Sequence, residues 1–282
     1  MKIPKRLRPL VEEGVIDSVV RQLMSGKEAM VFVVRCGEET RCAKVYKEAD
    51  KRSFRQAVDY TENRRTKNSR QARAMAKGTR FGRQATEAAW QSAEVDALYR
   101  LAAAGVRVPR PHNFCDGVLL MDRVTDEDGD AAPRLNDVVF TPEEARSHHA
   151  TLLAEVVRML CAGVVHGDLS EFNILLAADG PVIIDLPQAI DAAGNNHAKR
   201  MLLRDVANLR GLFGRFAPEL LDTDYGHEIW DLYRRGALAP DVALTGRFEH
   251  ETGAVDLGGV IREIDDARDE EATRRLRLQA VG

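Results

Sequence analysis

The 282-residue sequence lacks the cysteine patterns that indicate a disulfide framework or a structural zinc site. Its four cysteines include no Cys-x-x-Cys pair, and no His-x(3–5)-His pair accompanies them, so we expect incidental reduced thiols. Long apolar runs are absent too, since none reaches the roughly 18 residues that span a bilayer. The basic N-terminus is not followed by the apolar segment of a secretory signal peptide. These absences predict a cytoplasmic protein with no membrane contact.

An excess of charge of one sign is also missing from the chain as a whole. Lys and Arg number 41 and Asp and Glu number 44, and this net charge of −3 excludes a uniformly basic nucleic-acid coat. The charge is unevenly spread, because residues 47–83 hold twelve basic and four acidic residues, a local excess of +8. We therefore interpret residues 48–86 as a mobile or partly helical basic insertion.

The apolar pattern of the first half predicts a small β-rich region. Residues 30–47 alternate and turn like a β-hairpin, and residues 9–24 are typical of a short helix or turn. Residues 86–104 have the spacing of a helix. The acidic, glycine-containing segment 125–133 is the expected boundary between this region and the rest of the chain.

The second half has mainly helical signals around one polar loop. Thr141 and Glu144 form a capping box for a helix that we expect to end near Ala162. A polar loop then follows between two short apolar strands, and residues 196–282 are expected to be mainly helical.

Four polar elements occur in an order that suits phosphoryl transfer. They are the turn Ser25-Gly26-Lys27-Glu28-Ala29, the strand lysine Lys44, the helix acid Glu94, and the pair His166-x-Asp168-x(4)-Asn173 and Ile184-Asp185.

Each element has a chemical reason to be present. Lys44 can reach the α- and β-phosphates of ATP, and Glu94 can orient it through an ion pair. Asn173 and Asp185 offer the hard oxygen ligands that Mg²⁺ prefers, and Asp168 is placed to accept the proton of the substrate hydroxyl. Backbone N–H groups near the glycine of the turn can cradle phosphates.

The motifs resemble those of the RIO family of atypical protein kinases, in its RIO1-like branch. The resemblance is carried by Ser25 to Ala29, by the run His-Gly-Asp-Leu-Ser-Glu-Phe-Asn at 166–173, and by Ile-Asp-Leu-Pro-Gln at 184–188. It covers roughly residues 10–215. About 24 residues precede the phosphate loop, so we expect no winged-helix domain before it.

The resemblance implies an α+β, two-lobed fold of the protein-kinase type. The N-terminal lobe would span 1–124 with the phosphate loop and the basic insertion, and the C-terminal lobe would span 125–282. Lys44 and Asp168 would be catalytic, and Asn173 and Asp185 would bind Mg²⁺, or Mn²⁺ in its place.

Further site residues are implied by the same resemblance. The phosphate loop Ser25 to Ala29 and the Lys44–Glu94 pair would hold the phosphates of ATP. Met121 would precede the hinge, so that Asp122, Arg123 and Val124 flank the adenine. Asp205 would brace the catalytic loop.

Several elements of ordinary protein kinases are missing. The sequence has no Gly-x-Gly-x-x-Gly loop, Asp185-Leu186-Pro187 replaces Asp-Phe-Gly, and no Ala-Pro-Glu element follows it before Asp205. Ser170 stands where many protein kinases carry a lysine that neutralises the γ-phosphate. Because the usual docking surface for a peptide substrate is missing, autophosphorylation and ATP hydrolysis stay open beside phosphorylation of an unknown protein.

Two alternatives remain at this point. One is a small-molecule phosphotransferase of the aminoglycoside or choline kinase type, which also uses a His-Gly-Asp loop followed by Asn. The other is an ATP-gated ribosome-assembly factor, in which segment 47–83 contacts rRNA of the small ribosomal subunit. That segment could equally be a solvated loop with autophosphorylation sites such as Ser53, Thr66 or Ser69.

Overall fold

A computed structural model of the chain describes residues 3–26, 28–47 and 93–250. The described residues up to Arg247 belong to one compact unit. The predicted basic insertion, Lys27 of the phosphate loop and the chain after residue 250 lie outside the described residues. Within the described residues, no helix combines the length and the apolarity needed to cross a membrane.

The described elements divide into a β-rich part and a mainly helical part. The strands are β1 Ser18–Ser25, β2 Ala29–Cys36, β3 Glu39–Tyr46, β4 Pro111–Cys115, β5 Val118–Asp122, β6 Val164–Val165, β7 Ile174–Ala177, β8 Gly180–Ile183 and β9 Ile190–Asp191. The α-helices are α1 Arg8–Glu12, α2 over 93–103, α3 Pro142–Cys161, α4 Ala198–Gly214 and α5 Tyr225–Arg234. Short 3-10 helices cover Lys5–Leu7, Leu135–Asp137 and Pro218–Asp222.

The first five strands form one antiparallel sheet in the order β1-β2-β3-β5-β4. The predicted hairpin at 30–47 is confirmed as β2 and β3, with Lys44 opposite Val31 on one side and Leu119 on the other. Gly37 occupies the turn with a φ of 61°, a left-handed conformation that glycine adopts without a steric penalty.

The two faces of this sheet meet different partners because successive strand residues point in opposite directions. Ala43 and Val45 pack with Leu7 and Leu10 from the N-terminal helical segment. Tyr46 lies in the larger core cluster that includes the apolar residues of α2 and of the helical part. Lys44 shares the face of Tyr46 by the same alternation, so its side chain extends toward α2.

The prediction of a helix or turn over 9–24 is wrong for its second half. Residues 8–12 form the short helix α1, but Ser18–Ser25 is an edge strand paired with β2. Most β1 side chains are exposed, and its register shifts twice, between Val19 and Arg21 and between Gln22 and Met24. An edge strand of this kind buries little apolar surface, so its sequence has no clear alternation to reveal it.

The helical part is built around α3 and α4, which share one apolar core with β6, β7 and β8. The capping box predicted for α3 is confirmed, since the Thr141 side chain accepts from the Glu144 backbone and the Glu144 side chain accepts from the Thr141 backbone. Residues 236–250 are not helical, contrary to the expectation for the end of the chain. The sheet followed by a helical part confirms the α+β kinase-like fold.

Candidate functional site

Lys44 is the centre of a charge cluster in the cleft between the sheet and the helical part. Its Nζ lies 2.5 Å from Oε1 of Glu94 on α2 and 2.8 Å from Oδ1 of Asp185, which follows β8. The side chains of Lys44 and Glu94 are 13% and 4% exposed, whereas that of Asp185 is 46% exposed. The structure therefore brings together three of the residues singled out from the sequence.

The charges in this cluster support one another. Burial alone would lower the pKa of Lys44, but the carboxylates of Glu94 and Asp185 outweigh it, and the pKa is raised. Desolvation would raise the pKa of Asp185, but the Lys44 ammonium outweighs it and lowers the pKa. Lys44 is thus held as a cation and Asp185 as an anion.

The loop between β6 and β7 holds Asp168 beside a neutral histidine. The Asp168 N–H donates to Nδ1 of His166 over 3.3 Å, and Nε2 of His166 lies 3.2 Å from the carbonyl oxygen of Ile184. Burial lowers the pKa of His166 to about 4, so the ring is neutral near pH 7. Because Nδ1 accepts, Nε2 carries the proton and donates to Ile184. His166 therefore ties the catalytic loop to the residue that precedes Asp185.

Asn173 lies at the other end of the same loop. Its side-chain Nδ2 donates to the backbone carbonyl oxygen of Asp168 over 2.9 Å. The backbone carbonyl oxygen of Asn173 accepts from the Ile184 N–H, also over 2.9 Å. Asp185 adopts a left-handed conformation, with a φ of 64°, that few non-glycine residues adopt.

The oxygens of Asn173 and Asp185 fit a hard divalent cation. The Asn173 amide group uses its nitrogen within the loop, which leaves its oxygen for a ligand. One carboxylate oxygen of Asp185 contacts Lys44, and the second has no hydrogen-bond partner within the described residues. An amide oxygen and an ionised carboxylate are donors that magnesium and manganese accept.

Helix α4 braces the loop between β6 and β7, which holds Asp168, through hydrogen bonds to its backbone. The carboxylate of Asp205 accepts from the N–H groups of Gly167 and Leu169, at 2.8 and 2.9 Å. Arg204 donates to the carbonyl oxygen of Gly167, and Asn208 donates to that of Leu169 over 2.9 Å. Complete burial raises the pKa of Asp205 to about 7, although its two N–H donors oppose that change. Asp205 was expected from the sequence, whereas the contacts of Arg204 and Asn208 on the same helix were not.

Gly167 is required at its position for two reasons. Its φ of +80° is left-handed, and a Cβ there would lie 2.7 Å from the carbonyl oxygen of Gln188. A side chain would therefore push the backbone next to Asp168 away from the segment that follows Asp185.

The phosphate loop is described except for Lys27. The Gly26 N–H donates to the carbonyl oxygen of Ala29 over 2.9 Å, which closes the turn between β1 and β2. Lys47, which the sequence analysis did not single out, lies at the end of β3 and anchors this turn. Its Nζ is 2.5 Å from the Gly26 carbonyl oxygen, and its N–H donates to the Glu28 carbonyl.

The residues expected to flank adenine lie at the end of β5. Met121 pairs with Cys42 of β3, and the Asp122 carboxylate lies 2.5 Å from Nε2 of His112 on β4. Val124 follows, and its carbonyl oxygen accepts from the Ala132 N–H over 3.2 Å. The expected hinge is thus held on one side by β4 and on the other by the segment 125–133 that follows it.

Arg107 was also missed by the sequence analysis. It follows α2, and its guanidinium lies 2.7 Å from Oδ1 of Asp179 in the turn between β7 and β8. Its N–H donates to the buried carboxylate of Glu155 on α3, and its carbonyl accepts from the Ile183 N–H. Arg107 therefore connects the helix that carries Glu94 to the strand that leads into Asp185.

Comparison with known proteins identifies the family of the chain. The family model of the RIO domain matches residues 30–225. The RIO-type serine/threonine-protein kinase Rio1 of Haloferax volcanii is 35% identical over 210 residues, covering 73% of this chain and 67% of the relative. The Rio1 kinase of Methanocaldococcus jannaschii is 31% identical over 212 residues, covering 74% and 65%.

A eukaryotic protein kinase of the RIO type also matches the chain. Serine/threonine-protein kinase RIO3 of Caenorhabditis elegans is 33% identical over 221 residues, covering 76% of this chain and 40% of the relative. The chain thus matches about two thirds of the archaeal relatives and two fifths of this eukaryotic one. A kinase family of this kind uses ATP and a divalent metal ion. The chain belongs to the RIO family of serine/threonine protein kinases, in its RIO1 branch.

Proposed function

We propose that the cleft transfers the terminal phosphate of Mg-ATP to a serine or threonine hydroxyl of a protein, with this chain itself among the acceptors. One observation carries the proposal: Lys44 contacts both Glu94 and Asp185, while Asn173 is hydrogen-bonded to the backbone of Asp168. A lysine, a general base and two oxygen ligands around one cleft are what phosphoryl transfer needs from a protein.

Each residue of the cleft has a distinct role in the proposed phosphoryl transfer. Lys44, oriented by Glu94, binds the α- and β-phosphates, and the turn from Ser25 to Ala29 covers the phosphates from above. The acceptor hydroxyl gives its proton to the Asp168 carboxylate as its oxygen attacks the γ-phosphorus. The bond from the γ-phosphorus to the β–γ bridging oxygen breaks, and ADP leaves with that oxygen. The backbone position of Asp168 is held by His166 and by α4, so the base does not need to reorganise during the reaction.

Asn173 and Asp185 would hold the magnesium ion, with manganese as the alternative. The bound ion supplies positive charge against the phosphate oxygens. Asp185 is kept anionic by Lys44, so it offers a charged oxygen over the whole neutral pH range.

The acceptor class follows from what lies around the cleft. The segment between Asp185 and Asp205 holds no Ala-Pro-Glu element for docking a peptide in the usual way, so water and the chain's own hydroxyls compete with a protein substrate. We therefore expect both protein-bound phosphate and free phosphate as products.

The decisive experiment uses γ-labelled ATP with magnesium and measures both products in one incubation. We expect both to appear with the wild-type chain and to fall by at least about 100-fold in Asp168→Asn and Asp185→Asn, as loss of a catalytic group predicts. Asp222→Asn is the matched control, because Asp222 is exposed in a 3-10 helix of the helical part. Full turnover in Asp168→Asn would refute the mechanism.

The two alternatives are a small-molecule phosphotransferase and a ribosome-assembly factor that contacts rRNA. The relatives named above are serine/threonine kinases, which favours protein phosphorylation over a small-molecule phosphotransferase. Contact with rRNA through segment 47–83 stays a prediction, because only Lys47 of it is described. RNA binding that weakens with salt and is lost on neutralising Arg64, Arg65, Lys67 and Arg70 would support it, and salt-independent binding would refute it.

A further inference from the structure

Arg134 is fixed by its backbone against the end of the catalytic loop. It forms an isolated antiparallel bridge with Leu175, two residues after Asn173. On one side the Leu176 N–H donates to the carbonyl oxygen of Pro133 over 2.8 Å. The Cα of Arg134 is therefore held on the floor of the cleft, next to the strand that begins one residue after Asn173.

The side chain of Arg134 crosses from this floor to the sheet. Its Nη2 lies 3.1 Å from Sδ of Met24, the residue directly before the phosphate loop. The guanidinium therefore lies between the strand that follows Asn173 and the residue that precedes the phosphate loop, next to the region that we assign to the phosphates.

The partners of this guanidinium are few. A guanidinium carries five N–H donors, and a thioether sulfur is only a weak acceptor. Within the described residues Arg134 has no carboxylate at ion-pair distance, whereas Arg41 and Arg107 each have one and Arg146 has two. Arg134 therefore has donors in the cleft for an anion, and a phosphate fits the planar fork of an arginine.

We propose that Arg134 is a phosphate-binding residue of the nucleotide cleft, whose guanidinium leaves the Met24 sulfur and binds the terminal phosphate of ATP. This inference rests on the proposed function of the same site. Arg134 would supply the positive charge that position 170 does not provide, because Ser170 is uncharged and stands where many protein kinases have a lysine.

The test compares two nucleotides that differ by the terminal phosphate. Calorimetric titration with magnesium would measure the affinity for ADP and for a non-hydrolysable ATP analogue, in the wild-type chain and in Arg134→Gln. We expect the analogue to bind about 10- to 100-fold more weakly to the variant, as for loss of a charged hydrogen bond, and ADP to bind as before. Arg134→Lys, which keeps the charge but not the fork, should lose less.

The controls separate this role from a structural one. Arg234→Gln removes an exposed arginine that pairs with Asp231 on α5, and both affinities should stay at the wild-type level. A purely structural role of Arg134 would weaken both nucleotides equally and lower the unfolding temperature of the ligand-free variant, and that result would overturn the inference. If Arg134→Gln does not fold, the ratio of the affinities for the ATP analogue and ADP in Arg134→Lys tests the inference instead.

The outcomes also distinguish the two proposals. A wild-type chain that binds neither nucleotide would overturn the proposed function together with this inference. A wild-type chain that binds both, with an unchanged ratio of affinities in Arg134→Gln, would overturn the role of Arg134 alone.

Discussion

Lys44 and Asp185 lie 141 positions apart in the chain, yet Nζ of Lys44 is 2.8 Å from Oδ1 of Asp185. The same ammonium group holds Glu94, so one side chain links the central sheet, α2 and the segment after β8. Because each of the three charges is held by the others, the geometry of the cleft and the stability of the fold depend on the same contacts.

Removing the lysine should therefore cost both stability and activity. In Lys44→Met the buried Glu94 carboxylate loses its cation, which typically lowers the free energy of unfolding by about 3–5 kcal/mol. The double variant Lys44→Met/Glu94→Leu should recover much of that stability but no phosphoryl transfer. Urea denaturation and the γ-phosphate assay measure the two effects.

An exposed ion pair provides the control for that series. Arg41→Gln breaks the pair with Glu39, whose side chain is 70% exposed, and should change the free energy of unfolding by less than about 1 kcal/mol. A Lys44→Met variant as stable as the wild-type chain would contradict the view that the cluster is a buried, mutually compensated unit.

Two glycines should respond to alanine in opposite ways. Gly167→Ala places a Cβ against the Gln188 carbonyl in a left-handed conformation, so we expect a loss of about 1–3 kcal/mol and reduced turnover. Gly211 lies in α4 with no atom within 4 Å of an added Cβ, and alanine there should stabilise the helix by about 0.5–1 kcal/mol. Thermal unfolding of both variants checks the sign, and a stabilised Gly167→Ala would refute the steric argument.

The brace from α4 can be tested with a substitution that keeps the shape of the side chain. In Asp205→Asn one carboxylate oxygen becomes an NH₂ group that faces a backbone N–H, so we expect a loss of about 1–3 kcal/mol and slower turnover. Asp191 also accepts from two N–H groups, but through one oxygen and with a side chain that is 55% exposed. Asp191→Asn should thus be nearly neutral in the same denaturation assay, and equal effects at both sites would argue against a special role of the buried brace.

His149 predicts how stability depends on pH. It is buried on α3 against Phe213 and Tyr225, its Nε2 has no hydrogen-bond partner among the described residues, and burial lowers its pKa to about 4. Between pH 6.5 and 4 the unfolded chain binds a proton at this residue that the folded chain does not. The free energy of unfolding should therefore fall as the pH is lowered through that window.

The variant His149→Leu isolates this contribution. It should roughly halve the decline of stability on the acid side, because His166, whose pKa is also lowered to about 4, contributes a comparable part. The measurement is the urea midpoint at several pH values between 4 and 7. A variant with the same slope as the wild-type chain would show that His149 does not titrate as its burial predicts.

Much of the fold could be read from local patterns. The hairpin of β2 and β3 and the capping box of α3 were predicted because both depend on residues close in sequence. The edge strand β1 was not, because an exposed strand is recognised by its hydrogen bonds to β2 and not by its own alternation.

The candidate site divides in the same way. Motif spacing was enough to single out Lys44, Asp168 and Asp185, since their chemistry requires those residue types in that order. The supporting residues Arg107 and Arg134 belong to no motif and became visible only through their contacts with Asp179 and Met24.

The sequence by itself thus determined the class of fold, the order of the chemical elements and the family. Only the tertiary structure decided which side chains meet in the cleft, that Lys44 holds two carboxylates at once, and that Arg134 contacts Met24, directly before the phosphate loop. The physical reason is that local propensities act over a few residues, whereas contacts between distant segments are set by how the sheet and the helices bury their apolar faces together.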